Sequence, residues 1–261
     1  MLPLATPVLD IVSPLNETRP RKLPHKAEYF MSQEKHYYVL WLSQHVSYII
    51  CCIVLTAIDT TFFLLMEHVC GMHTILCYRL KNLTVYDTLS QMDNICVNKN
   101  YEINERARRC IQLDRRIRVF VQIMESTFMT CFLFDIGLGF ILHTCVCIII
   151  VVRTGQLAET VRFLAILIPQ LFRIFFSNWI GQEVIDHSSE IPQAAYSAMW
   201  YDMPVKVQKM IMLLIARSQK PSKLTVAKFY IINLESFNMV MKTSMSYCTV
   251  MISLSETSDS S

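Results

Sequence analysis

Near its C-terminal end the chain spaces Lys228, Glu235 and Lys242 seven residues apart in an apolar stretch, then adds Ser246, Thr249 and Ser253. Residues at this spacing share one face of an α-helix, and Met239 falls on that face too. Charges and hydroxyls in such a stripe are costly against lipid. Two settings remove the cost. One is a water-filled axis, where the stripe would solvate a passing ion and the neighbouring Tyr247, Val250 and Leu254 would form an apolar constriction that stops ions by dewetting. The other is a packed inner helix, with Ser and Thr bonded across to neighbouring helices and Lys242 paired with a carboxylate such as Asp135 or Glu235. The residues alone fit both settings equally.

Other chemistry is poorly served. The stretch from Glu67 to His73 offers Glu67, His68, Cys70 and His73 as metal-ligand types. His68 and His73 are five apart, off a common helical face, and no second ligand pair follows, so no metal is expected. Nucleophile elbow, phosphate loop and paired catalytic carboxylates are all missing from the pattern, so neither an enzyme nor a cofactor is expected. Net charge is only +3 without a long basic run, which gives no reason to expect nucleic acid. The ten cysteines lie in apolar runs or in one loop, and are expected to be reduced, buried and small-apolar in role.

The elements that must carry the stripe follow from composition. The chain is 53% hydrophobic and 17% charged, more apolar than an average soluble domain, with five glycines in 261 residues. A bilayer core needs about 20 apolar residues in helix. Spans are expected at about 37–66, 127–152, 161–180 and 225–254. Arg162 and Arg173 lie in the third, and Lys228, Glu235 and Lys242 in the fourth. Lys and Arg number nine in 67–126 and five in 182–224, against five in 1–36 and one in 153–158. The positive-inside rule then puts loops 67–126 and 182–224 in the cytosol, and segment 1–36 and the short tail 255–261 outside. Asn16, in the sequon Asn16-Glu17-Thr18, falls on the glycosylatable side. Asn82, in a second sequon, falls in the cytosol. Both loops contain amphipathic helix. Cys110, Leu113, Ile117 and Phe120 or Val121 form one stripe, in a helix expected to run into the second span without a break. Val205, Val207, Met210, Ile211, Leu214 and Ile215 form another, ended by Pro221.

The last hundred residues carry a resemblance. Gly181, Ser188 or Ser189, Ala195-Tyr196, Trp200, Pro204, Arg217 and Lys220-Pro221, followed by Phe229, Phe237, Lys242 and Ser246-Tyr247, stand in the order and spacing of the C-terminal signature of insect odorant receptors. "LPHKAEYFMSQEKHYYVLWL" and "TAIDTTFFLLMEHVCGMHTIL" resemble the stretch around that family's fourth span. The resemblance covers about residues 20–254. It departs where the family often has Cys with His four residues later, since Cys110 here precedes Asp114.

The resemblance implies an all-α membrane protein: a polytopic transmembrane helix bundle with a cytosolic helical anchor region, in which this chain supplies the fourth to seventh spans of a seven-span fold. It implies tetramers with the seventh span lining a cation pore, gated by Val250 and Leu254 and bordered by Ser246, Thr249 and Ser253. It places an odorant pocket in the outer half of the bundle, with Trp41, His45, Tyr48 and Ile49 as candidates beside Phe163, Leu164 and Leu167. Tyr196, Trp200, Met210 and Leu214 would pack in the cytosolic anchor. The implied partners are a small volatile apolar odorant, a co-receptor subunit in a hetero-tetramer, and the lipid bilayer of the plasma membrane. The alternatives are a gustatory-type receptor channel, a truncated receptor fragment without activity, and a transporter. The ending "KTSMSYCTV" favours the odorant type over the gustatory type, and a transporter would show an internal repeat and broken helices.

Overall fold

Runs of Leu, Ile, Val, Phe and Met with few glycines favour helix, and helix dominates the fold. The computed structural model describes residues 36–84, 96–152, 157–227 and 230–259. In chain order these form α1 (Tyr37–Lys81), α2 (Cys96–Val152), α3 (Leu157–Ser189), α4 (Ile191–Tyr196), a 3-10 turn (Trp200–Asp202), α5 (Val205–Ser218), strands β1 (Thr225–Val226) and β2 (Tyr230–Ile231), and α6 (Leu234–Asp259). α2 is unbroken over 57 residues, so the amphipathic stretch and the expected second span are one helix, as expected. Pro169 sits inside α3 without ending it.

The chain divides into two compact units, Met1–Thr61 and Phe62–Ser261. In the first, the described part of α1 exposes apolar side chains on several faces, among them Val39, Leu42, Tyr48, Ile50 and Leu55. A helix apolar all round suits lipid or protein cover rather than water. Among the described residues, two helical stretches are long and apolar enough to cross a membrane, Tyr37–Lys81 and Asn100–Val146. The expected third and fourth spans lie in α3 and α6. α3 carries Arg173, and α6 carries Glu235, Lys242 and a row of hydroxyls.

The second unit is held by heptad seams. α1 buries Phe62, Met66, Val69, His73, Leu76 and Leu80, with Leu83 buried just past its end; α2 buries Ile103, Ala107, Cys110, Asp114, Ile117, Val121 and Met124. Alternating steps of three and four keep each set on one face, the geometry of helices packed nearly along one another. Phe62 lies 4.4 Å from Phe132, ring to ring, and His68 lies 6.0 Å from Phe120. Of the stripe expected on α2, Cys110, Ile117 and Val121 are buried and Leu113 and Phe120 half-buried. α5 buries Val207, Ile211, Leu214 and Ser218. Val205, expected on the same stripe, is exposed at the helix start.

Residues 225–233 correct the expected fourth span. Thr225–Val226 pairs antiparallel with Tyr230–Ile231, Thr225 opposite Ile231, and helix begins only at Leu234. Lys228 lies outside the described residues and precedes that helix, so the stripe starts at Glu235. The hairpin is pinned on both sides. Glu125 of α2 accepts from the Thr225 amide at 3.1 Å and from its hydroxyl. Tyr230 donates to Asn178 Oδ1 of α3 at 2.9 Å, and Asn178 donates to the Ile174 carbonyl. Gly181 lets the chain pass close by: a Cβ there would stand 2.3 Å from the Ile232 carbonyl oxygen. Asn233 Oδ1 then accepts the Ser236 amide at 2.8 Å, an N-cap that fixes where α6 starts.

Candidate functional site

α6 has two faces with different tasks. Phe237 and Met241 are half-buried, Ser244 and Cys248 buried, again in steps of four and three. This seam packs on α2 and α3. Phe237 meets Phe175 of α3 at 5.6 Å between ring centroids, and Tyr247 meets Phe140 of α2 at 6.3 Å. The other face carries Glu235, Met239, Lys242, Ser246, Thr249 and Ser253, all exposed. The expected stripe therefore lies on one continuous face, turned away from the chain's own bundle. Val250 is 54% exposed beside it. Leu254 is in the helix, and its side chain lies outside the description.

The hydroxyls on this helix show a common arrangement. Thr243 donates to the Met239 carbonyl at 2.8 Å, Thr249 to Met245 at 3.0 Å, and Ser253 to Val250 at 2.8 Å. A hydroxyl that spends its proton on the helix backbone offers only oxygen lone pairs outward. Such a surface suits a cation better than an anion.

The packed-helix setting needed Lys242 to pair with Asp135 or Glu235. Asp135 is taken. Arg173 of α3 donates to its Oδ1 at 2.6 Å, and Gln170 lies 3.4 Å from the same oxygen. Lys242 is exposed and forms no ion pair among the described residues. Opposite charges in neighbouring apolar stretches were the available signal for the Asp135–Arg173 pair. Asp135, expected as a partner for Lys242, pairs with Arg173 instead. The Glu125, Asn178 and Gly181 supports of the hairpin gave no comparable signal, because each joins residues far apart in the chain.

The remaining candidates fare unevenly. Trp41 and His45 stack on one another, 4.2 Å between centroids, and His45 Nδ1 lies 2.9 Å from the Trp41 carbonyl oxygen. Tyr48 and Ile49 are exposed, and the second unit has cavities of its own. One of those cavities, between Leu142, His143 of α2 and Leu167, Leu171 of α3, has about 10 Å³ free, room for one water-sized group rather than an odorant. Leu167 is buried there, Leu164 is exposed, and the Phe163 side chain lies outside the description. In the anchor, Leu214 is buried and Trp200 and Met210 are half-buried. Tyr196 is instead 69% exposed: α4 buries Ala194 and Ala195, and the next residue points about 100° further round. Asn16 lies outside the described residues.

The cysteine expectation holds in part. Cys70, Cys77, Cys110 and Cys248 are buried, whereas Cys51, Cys131 and Cys145 are exposed on apolar helix surface. Burial pushes the Cys70 thiol up to about 12 and Cys110 up to about 11, so both stay protonated and unreactive. His68 faces Phe120 and His73 is buried. Among the described residues no three metal-ligand groups converge. Burial, with His187 and Arg118 nearby, lowers His73 to about 4 and keeps it neutral. Asp114, where the family often has His, is buried and paired with Arg118, which reaches on toward the Arg217 carbonyl at 3.5 Å. It ties α2 to the end of α5.

Long apolar helices, a buried ion pair between two of them and a polar face on a third define an all-α membrane helix bundle. The sequence model described as 7tm odorant receptor matches residues 6–245. The chain belongs to that family, one of receptors rather than enzymes. It is 28% identical over 162 residues to odorant receptor 10 of Aedes albopictus, covering 61% of this chain and 42% of that receptor. To the odorant receptor coreceptor of Aedes aegypti it is 28% identical over 88 residues, covering 34% of this chain and 18% of that one. The chain thus spans well under two thirds of the length of the curated relatives it matches. The solved insect olfactory receptor OR5 of Machilis hrabei, in complex with eugenol, superposes with a TM-score of 0.76 at 17% identity, covering 97% of this chain and 61% of that one. That likeness establishes the fold.

Proposed function

We propose that this chain is an odorant receptor subunit, part of an odorant-gated, non-selective cation channel that works with a co-receptor subunit in the plasma membrane of an olfactory neuron. One observation carries the channel part of the reading. The stripe from Glu235 to Ser253 faces away from the chain's own bundle, while the opposite seam of α6 is packed. In a tetramer, four such faces around an axis would form a wet path lined by hydroxyl oxygens. Val250 and Leu254 stand near the outer end of α6 and would close it by dewetting. Loops 67–126 and 182–224 lie in the cytosol, following the excess of Lys and Arg.

Gating requires the ligand to bind the open state better than the closed one. A small apolar odorant in the outer half of the bundle would shift the spans, and the outer end of α6 would carry Val250 and Leu254 away from the axis. Trp41 and His45, already stacked, are the pocket candidates on α1 that pack on one another. The names of the relatives, odorant receptors and coreceptors alike, and the eugenol bound by OR5 support a small volatile ligand and a co-receptor partner.

The test is current in cells expressing this chain with a co-receptor, scanned against a panel of volatiles. Cysteines placed at Ser246, Thr249 and Ser253 should react with a charged, water-soluble thiol reagent and reduce the current. If only lipid-soluble reagents modify them in the assembled complex, α6 does not border water and the channel reading is lost.

A further inference from the structure

Six arginines crowd α2 between residues 106 and 118, and they divide into two groups. Arg106 pairs with Glu102, Arg108 with Glu105 and Arg118 with Asp114. Arg109, nearly two turns nearer the helix start, is exposed without such a pair, and Arg115 and Arg116 are likewise exposed and, among the described residues, have no ion pair or hydrogen bond. These last two form one end of an open groove of about 310 Å³, whose other walls are Val119, Phe120 and Ile123. Two unneutralised guanidinium groups thus sit one to two turns from an exposed apolar strip along the same helix.

The depth of the groove matters. Phe120 packs edge-on against His68, two residues past the expected inner end of the first span at residue 66. Arg115 and Arg116 lie about 6 to 8 Å further along the helix, toward the cytosol. Ile123 lies about 5 Å the other way. Measured from residue 66, the arginines stand at headgroup depth, and the apolar strip runs from there to the hydrocarbon edge at Ile123, four residues short of the expected start of the second span at 127. A soluble anion would need the charges and not the strip, whereas a lipid tail would need the strip and not the charges. An anionic phospholipid uses both, and the cytosolic leaflet is the one that carries negative charge.

We infer that the groove formed by Arg115, Arg116, Val119, Phe120 and Ile123 binds one anionic phospholipid of the cytosolic leaflet. The phosphate is held by the two guanidinium groups, which can each donate in a fork. An acyl chain lies along Val119 and Ile123. The inference rests on the cytosolic orientation of loop 67–126.

The experiment uses the purified full chain in mild detergent, with native mass spectrometry counting retained lipid during titration with phosphatidylserine, phosphatidylinositol bisphosphate or phosphatidylcholine. The wild type should retain one anionic lipid and no phosphatidylcholine. Arg115→Ala with Arg116→Ala should weaken retention roughly thirtyfold, a factor of about five for each surface arginine. Lys206→Ala with Lys209→Ala removes two exposed charges elsewhere on the cytosolic part and should change nothing. Val119→Ser with Ile123→Ser should weaken the lipid while leaving binding of soluble inositol trisphosphate unaltered. Equal loss in both charge-removing doubles would mean diffuse attraction and overturn the site. So would soluble inositol trisphosphate binding as tightly as the lipid, or displacement of the lipid when the co-receptor subunit is added. Detergent has no sides and no current is read, so this outcome is independent of the channel reading.

Discussion

Asp135 of α2 and Arg173 of α3 are joined at 2.6 Å, with side chains only 10% and 22% exposed, in two helices expected to cross the bilayer. Each charge is costly in hydrocarbon, and each makes the other tolerable. The pair fixes the register of α3 against α2, the two helices on which α6 packs. Removing one partner strands the other. Arg173→Leu or Asp135→Leu should cost about 3–5 kcal/mol, seen as a lower melting temperature in detergent and a smaller fraction at the cell surface. Exchanging the two residues should restore part of the loss. Single variants that melt with the wild type would show that the pair positions nothing.

Gly181 makes a second, sharper case. The hairpin passes so close to α3 that a Cβ at this position would meet the Ile232 carbonyl oxygen at 2.3 Å, backbone against side chain. No rotamer change relieves that contact. Gly181→Ala should therefore shift the hairpin or α3, at a cost of about 1–3 kcal/mol, and should displace the start of α6 at Asn233. Hydrogen exchange at the Thr225 amide, held by Glu125, reports the shift. Protection equal to wild type would mean the hairpin accommodates the methyl in place.

How much of this was legible in the sequence depends on the range of the signal. The α2 stripe of Cys110, Ile117 and Val121 repeats locally, and the burial follows it. The polar stripe of α6 is legible for the same reason: Lys242, Ser246, Thr249 and Ser253 share a face whatever lies around them. The hairpin at 225–231 was hidden, because its four paired residues are β-branched or apolar and merge into the apolar run that follows. Its supports, Glu125, Asn178 and Gly181, lie 50 to 100 residues away. Exposure of Tyr196 was also out of reach, since a six-residue helix gives too few turns to assign a face.

His73 gives a pH prediction. Its folded pKa of about 4 lies below the ordinary 6.5, chiefly through burial, then through His187 and Arg118. Each of those cations has an acid beside it, Glu183 at 3.8 Å from His187 and Asp114 paired with Arg118. A histidine held neutral in the fold takes up a proton more readily when unfolded. Stability is then full above about pH 6.5 and falls as the pH drops toward 4, by about 2 kcal/mol between about pH 7 and pH 5. His73→Phe should flatten the melting temperature over that window in detergent. An undiminished pH slope in the variant would assign it to other groups.

The gate prediction follows from the position of Val250 rather than from its chemistry alone. It is exposed in the single chain, on the flank of the hydroxyl stripe and away from the Ser244 and Cys248 seam. Shortening it costs the chain's own packing little, so an effect on current reflects the axis and not the fold. Val250→Ala widens a constriction by two methyl groups per subunit and admits water. Resting conductance with the co-receptor should rise several-fold, and the odorant dose response should move to lower concentration, because the closed state is selectively weakened. Leu254→Ala should act in the same direction. Val250→Thr, nearly isosteric but polar, should leak at least as much although the width is unchanged, since dewetting needs an apolar wall. If Val250→Thr stays closed while Val250→Ala leaks, the barrier is steric. If neither variant alters leak or dose response, this turn of α6 does not face the axis.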